Sequence, residues 1–153
     1  MKFPVYLGLL HRSEQTLAGA YRQIASGHGA EPDIHFLCLS LAAQCDKHIG
    51  ELAPMMAKYG EADSGEEPER LHADTLSESR SGPLGMLRDL QDLYLLANLV
   101  DVTWMMVKQV AQGLRDDDLL KVVNHCEGDT VRQIKWIKTR MKQSAPQALI
   151  AAR

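Results

Sequence analysis

Aromatic residues are scarce in this chain. They make up 5% of its 153 positions, too few for a surface on which nucleotide bases stack. An excess of positive charge is missing too: the formal net charge is −3 and the isoelectric point is about 6.0. That argues against a general nucleic-acid binder and against a protein drawn to anionic membranes. Long apolar runs are absent. Phe3 to Leu10 is apolar but shorter than the roughly 20 residues a membrane span needs. His11, Arg12 and Glu14 follow it without a small-residue cleavage site, so it is expected to open a helix rather than act as a signal peptide. The three cysteines, an odd number with no close pair, fit a reducing cytoplasm better than a disulfide framework. No Gly-rich phosphate loop and no convincing nucleophile–base pair is visible.

What remains is an ordinary soluble composition, 45% hydrophobic and 24% charged, long enough for one domain with a full core. Its organising stretch is Leu84 to Leu114, free of proline after Pro83 and of glycine between Gly85 and Gly113. At helical spacing it carries two apolar stripes. Leu90, Leu93, Tyr94, Ala97, Val100, Trp104 and Ala111 form the first. Leu95, Leu99, Val102, Met106 and Val110 form the second, on nearly the opposite side. A helix apolar on both sides is covered on both sides. The expectation is a central helix packed on its own chain by one face and on a second copy by the other. A homodimer through Leu95, Leu99, Val102 and Met106 follows; a crossover folded over those residues is the rival. Asp101 interrupts the first stripe.

Three more helices are expected. The first runs from about Pro4 to Ser26, with Leu10, Leu17, Tyr21 and Ile24 inward and Glu14 flanking; Gly27-His28-Gly29 ends it. The second follows Pro32, with Asp33 as a cap candidate and Cys38, Leu41, Cys45, His48 and Leu52 inward. Pro54 predicts a bend and Gly60 a stop. The fourth starts at the Asp116-Asp117-Asp118 run, which suits the positive end of a helix dipole. It continues to about Gln143, with Val123, Cys126, Thr130, Gln133 and Ile137 inward. Residues 61–82 form an acidic crossover long enough to make the second and third helices parallel, with a short helix expected at Glu69–Leu76. Residues 144–153 read as a loosely docked tail beyond the 1–143 bundle.

Counting inward from each turn places one polar layer near mid-height of a bundle about 26 residues long. Glu14, Cys45, His48, Asp101, Cys126 and Asp129 belong to it. Cys45, His48, Asp101 and Cys126 point inward by phase, with Asp101 the natural partner of His48. Asp129 lies about 80° off centre.

Four long helices, a long second connection and inward polar residues at mid-height resemble the ferritin-like superfamily. A C-terminal run around Gln133, Trp136 and Pro146 is similar to bacterial ferritin-like proteins. The resemblance implies an all-α, ferritin-like four-helix bundle. It also implies a layer in which each half supplies a Glu and a Glu-x-x-His pair to hold two iron or manganese ions. Glu14 matches the first Glu. Cys45-Asp46-Lys47-His48 overlays the first pair with Cys in place of Glu. Cys126-Glu127-Gly128-Asp129 overlays the second with Cys for Glu and Asp for His. The third-helix Glu falls near Tyr94 or Ala97, a turn from Asp101. A carboxylate-bridged centre needs hard oxygen ligands, so these departures predict no working di-iron site. The expected function is therefore a non-catalytic binding or interaction protein. The alternative is a metal-binding protein or oxidoreductase with a mid-bundle iron, manganese or zinc site. Two chemistries serve that alternative: a tetrahedral site for zinc or another thiophilic metal from Cys45, Cys126, His48 and a nearby carboxylate, or a reversible Cys45–Cys126 disulfide.

Overall fold

Each of the four long helices expected forms. The computed structural model describes residues 1–60 and 79–152. Its helices are α1 (Phe3–Gly27), α2 (Pro32–Tyr59), α3 (Gly82–Gly113) and α4 (Asp117–Pro146), followed by a single π-helical turn, Gln147–Ala151. No strand occurs among the described residues. The short helix expected at Glu69–Leu76, with residues 61–78 of the crossover, lies outside them. No described helix is long and apolar enough to cross a membrane.

The local chemistry explains most boundaries. A proline in the first turn of α1, α2 and α3 sits where a backbone donor has no helical partner. At the start of α2 the capping position falls to Glu31 rather than Asp33, and no side chain caps it. Asp33 lies in the first turn and instead accepts from Arg140 Nε at 2.8 Å, tying α2 to the end of α4. α2 runs on through Pro54. It stops at Gly60, whose φ of 87° is open to glycine. The aspartate run does start α4. Asp116 is its cap and accepts from the Leu119 amide at 3.0 Å, while Asp117 and Asp118 lie in the first turn. The last helix passes the expected end near Gln143 and reaches Pro146. The π-helical turn beyond it buries Ala148, so the tail is docked rather than loose.

Side-chain pairs fix the helix directions. Glu14 meets Trp104 and His28 meets Asp89, so α3 is antiparallel to α1. Asp33 meets Arg140, His48 meets Asp129 and Lys58 meets Asp116, so α4 is antiparallel to α2. The turn at His28–Glu31 reverses α1 into α2. α2 and α3 therefore run the same way. Tyr59 lies at one end, against Phe3. Gly82 lies at the other, in a cleft shared with His28 and Arg140. α1 and α4 each pack on both α2 and α3, which encloses one core from Phe3 to Ile137.

The first stripe of α3 enters that core: Leu90, Leu93, Ala97, Val100, Trp104 and Ala111 are buried. The second stays outside. Leu95 is 63% and Val102 46% exposed, and Leu99, Met106 and Val110 are half-buried.

Both ends are fastened by carboxylates. At one end Asp89 is buried and accepts from His28 Nε2 at 2.8 Å, the Arg80 amide at 2.9 Å and the Arg80 guanidinium at 2.8 Å. At the other, Asp116 accepts from Lys58 Nζ at 2.8 Å and from the Tyr59 hydroxyl. Lys58, Tyr59 and the Leu119 amide hold the Asp116 carboxyl well below the usual carboxylate range. A depressed carboxyl contributes stability above its unfolded pKa of about 4 and loses it as pH falls toward the folded value. Asp116→Ala is expected to cost about 1–2 kcal/mol in urea unfolding at pH 7. That difference should shrink steadily below about pH 4.

Candidate functional site

The polar layer exists, and each helix contributes to it. Glu14 on α1 and His48 on α2 are fully buried. The His48 ring lies between two carboxylates, with Nδ1 2.9 Å from Glu14 Oε1 and Nε2 2.9 Å from Asp129 Oδ2 on α4. From α3, Trp104 Nε1 donates to the same Glu14 oxygen at 2.8 Å. Arg132 donates to the other oxygen of Asp129 at 2.5 Å. With both carboxyls ionised each oxygen accepts, both ring nitrogens donate, and a histidine that donates from both is the imidazolium. Burial alone would lower the His48 pKa; the bonds and charges of Glu14 and Asp129 override it and raise it. Burial would raise the Asp129 carboxyl, but His48 and Arg132 hold it below its ordinary value.

The cysteines do not join as a pair. Cys38, Cys45 and Cys126 are free and buried. Cys45 lies beside Glu14 and Gln133. Gln133 itself accepts from the Tyr21 hydroxyl at 2.9 Å and donates to Gln44 at 3.0 Å. Cys126 turns the other way and donates to Glu51 Oε2 at 3.2 Å. Burial pushes the Cys38 thiol up to about 12. Burial and then the nearby Glu14 or Glu51 carboxylates push Cys45 and Cys126 higher still. Thiols in this state are poor nucleophiles.

Two expectations about the layer are corrected. Asp101 is not the partner of His48. It is only half-buried, and burial and the charge of Glu127 raise its carboxyl above the ordinary value. Both ring nitrogens of His48 are taken by Glu14 and Asp129 instead. Asp129, the most off-centre by phase, is the direct partner, because the His48 ring reaches across to it. Glu14 is buried rather than flanking.

Four participants escaped the sequence pattern. Trp104 counted as an apolar stripe residue, although a buried indole N–H needs an acceptor. Glu51, one turn after His48, and His125, one turn before Asp129, sit on the same helix faces as those residues and carry that spacing as a signal. Arg132 is exposed and left none. Glu51, His125 and Cys126 present ligand-type atoms within 4.8 Å of one another. No protein-family model, curated protein or solved structure matches this chain.

His48→Ala strands two carboxylates in the core. It should cost about 3–5 kcal/mol, read as a shift of the urea midpoint at pH 7. A raised histidine pKa stabilises fully below the unfolded value of about 6.5 and loses that contribution as pH rises through the folded one. Wild-type stability should therefore decline above about pH 6.5, and the decline should be absent in His48→Ala. Trp104→Phe, which removes one donor from Glu14, should cost about 1–3 kcal/mol.

Proposed function

We propose that this protein is a ferritin-like helical bundle that has lost the di-metal chemistry of that architecture and works as a non-catalytic interaction protein, first of all with a second copy of itself. The all-α topology with parallel α2 and α3 supports the architectural reading. The donor set argues against the metal centre. Thiols stand where bridging carboxylates are required, at Cys45 and Cys126. Both nitrogens of His48 are engaged, and Asp129 is shared with Arg132. Glu14 Oε2 is the one buried carboxylate oxygen of the layer without a hydrogen bond among the described residues. One oxygen does not bridge and charge-balance two hard cations, so the residues present do not fit a di-iron or di-manganese centre.

The observation that carries the interaction reading is the row Leu95, Leu99, Val102 and Met106, alternately exposed and half-buried. Its steps of four, three and four residues are those of a two-stranded helical seam. Leu95 and Val102 stand out from the surface. The row leads into an apolar groove where Met106, Val107 and Val110 meet Phe3 and Tyr6 of α1. One helix face with this spacing is self-complementary about a two-fold axis.

Light scattering at micromolar concentration should give twice the 17.0 kDa chain mass. Leu95→Glu with Val102→Glu should return the mass to one chain with helicity retained. A wild-type monomer would remove the self-association reading. Stoichiometric uptake of ferrous or manganous ion would remove the claim that the layer has lost its di-metal chemistry.

A further inference from the structure

The Glu14–His48–Asp129 network uses its own donors and acceptors. One side of it does not. Between α2 and α4, Glu51, His125 and Cys126 converge on one another, and each keeps a ligand atom facing the others. The His125 Nδ1 lies 3.0 Å from Glu51 Oε2, and the Cys126 thiol lies 3.2 Å from that same oxygen. We infer that Glu51, His125 and Cys126 form a mononuclear site for zinc or a similar thiophilic divalent cation, sharing only Cys126 with the positions where the ferritin-like resemblance expects ligands.

Three features of the geometry support the assignment. First, the donor set is one carboxylate, one imidazole and one thiol, the mixed set that zinc takes. With Cys126 as thiolate, its charge and that of Glu51 balance a divalent cation. Second, ligand lengths of about 2.0–2.3 Å put neighbouring ligands of a tetrahedral zinc about 3.3–3.8 Å apart. The observed 3.0 and 3.2 Å need only a small opening. Third, a carboxylate stands behind His125. Its Nε2 lies 3.5 Å from Asp129 Oδ2, an ion-pair contact that a small closure would turn into the carboxylate–histidine hydrogen bond of a ligating ring. The same Asp129 oxygen holds His48, so the site is backed by the layer that joins the four helices.

The site sits at the edge of the core. The Cys126 thiol is buried, while the His125 side chain is 43% and that of Glu51 31% exposed. A fourth position therefore opens to water, the pattern of an accessible site rather than a closed structural one. Binding expels the Cys126 proton to solvent as the sulfur–metal bond forms, so affinity should rise with pH.

The test uses tag-free, reduced full-length protein titrated with cobalt(II) and then zinc. One equivalent of cobalt(II) should give thiolate-to-metal charge-transfer absorption together with the visible bands of a tetrahedral ion. One equivalent of zinc should abolish them. Cys126→Ser should remove the charge-transfer band, and Cys45→Ser should leave it intact. His125→Gln and Glu51→Gln alter partly exposed residues and should retain the fold; each should weaken binding by at least about tenfold. The proposal is overturned by three results: no charge-transfer band at stoichiometric cobalt, a band that survives Cys126→Ser, or unchanged affinity in both His125→Gln and Glu51→Gln.

Discussion

A single imidazolium held between two carboxylates is the constraint around which this bundle is arranged. His48 comes from α2, Glu14 from α1 and Asp129 from α4, and Trp104 of α3 completes the set through Glu14. No helix can rotate or slide by a turn without leaving a buried charge unpaired. Such a penalty, about 3–5 kcal/mol, matches the loss of a whole buried leucine side chain. Apolar burial supplies the driving force for collapse. The polar layer, being directional, selects the register in which the apolar faces meet. Asp89 and Asp116 repeat the device at the two ends, where each gathers cations and backbone donors from separate elements.

The fold was legible because helical periodicity and its punctuation agree along the chain. Both stripes of Leu84–Leu114, the glycine at 60 and the aspartates at 116–118 each mark an element that forms. The layer was legible in height but not in pairing. Level counting placed Glu14, His48 and Asp129 together, because rise per residue is nearly constant. Helical phase then misjudged Asp101 and Asp129. Phase reports where a Cα–Cβ bond points, whereas a histidine ring extends several ångströms from its helix. Asp129 is thereby reached despite its angle, and Asp101 stays half-buried without a bond to the ring. Trp104 shows the same limit from another side. Apolar patterning counts its ring and is blind to the indole N–H that decides its position.

The charges of the layer balance. Cys45 and Cys126 are held as neutral thiols by burial and the neighbouring carboxylates, and add no negative charge to it. Two cations, His48 and Arg132, meet the two carboxylates Glu14 and Asp129. To one side of it, Cys126 donates to Glu51, which also meets His125. Asp129 touches both parts, through His48 and through His125.

The most direct measurement is the protonation state of His48 by nitrogen-15 NMR of histidine-labelled protein at neutral pH. The account requires both ring nitrogens of His48 to carry protons, with the equivalent low-frequency nitrogen shifts of an imidazolium, at a pH where exposed histidines are mostly neutral. A His48 spectrum with one protonated and one bare nitrogen at pH 7 would contradict it. A ring with a free lone pair would no longer tie Glu14 to Asp129, and the layer would have to be held together by some other means.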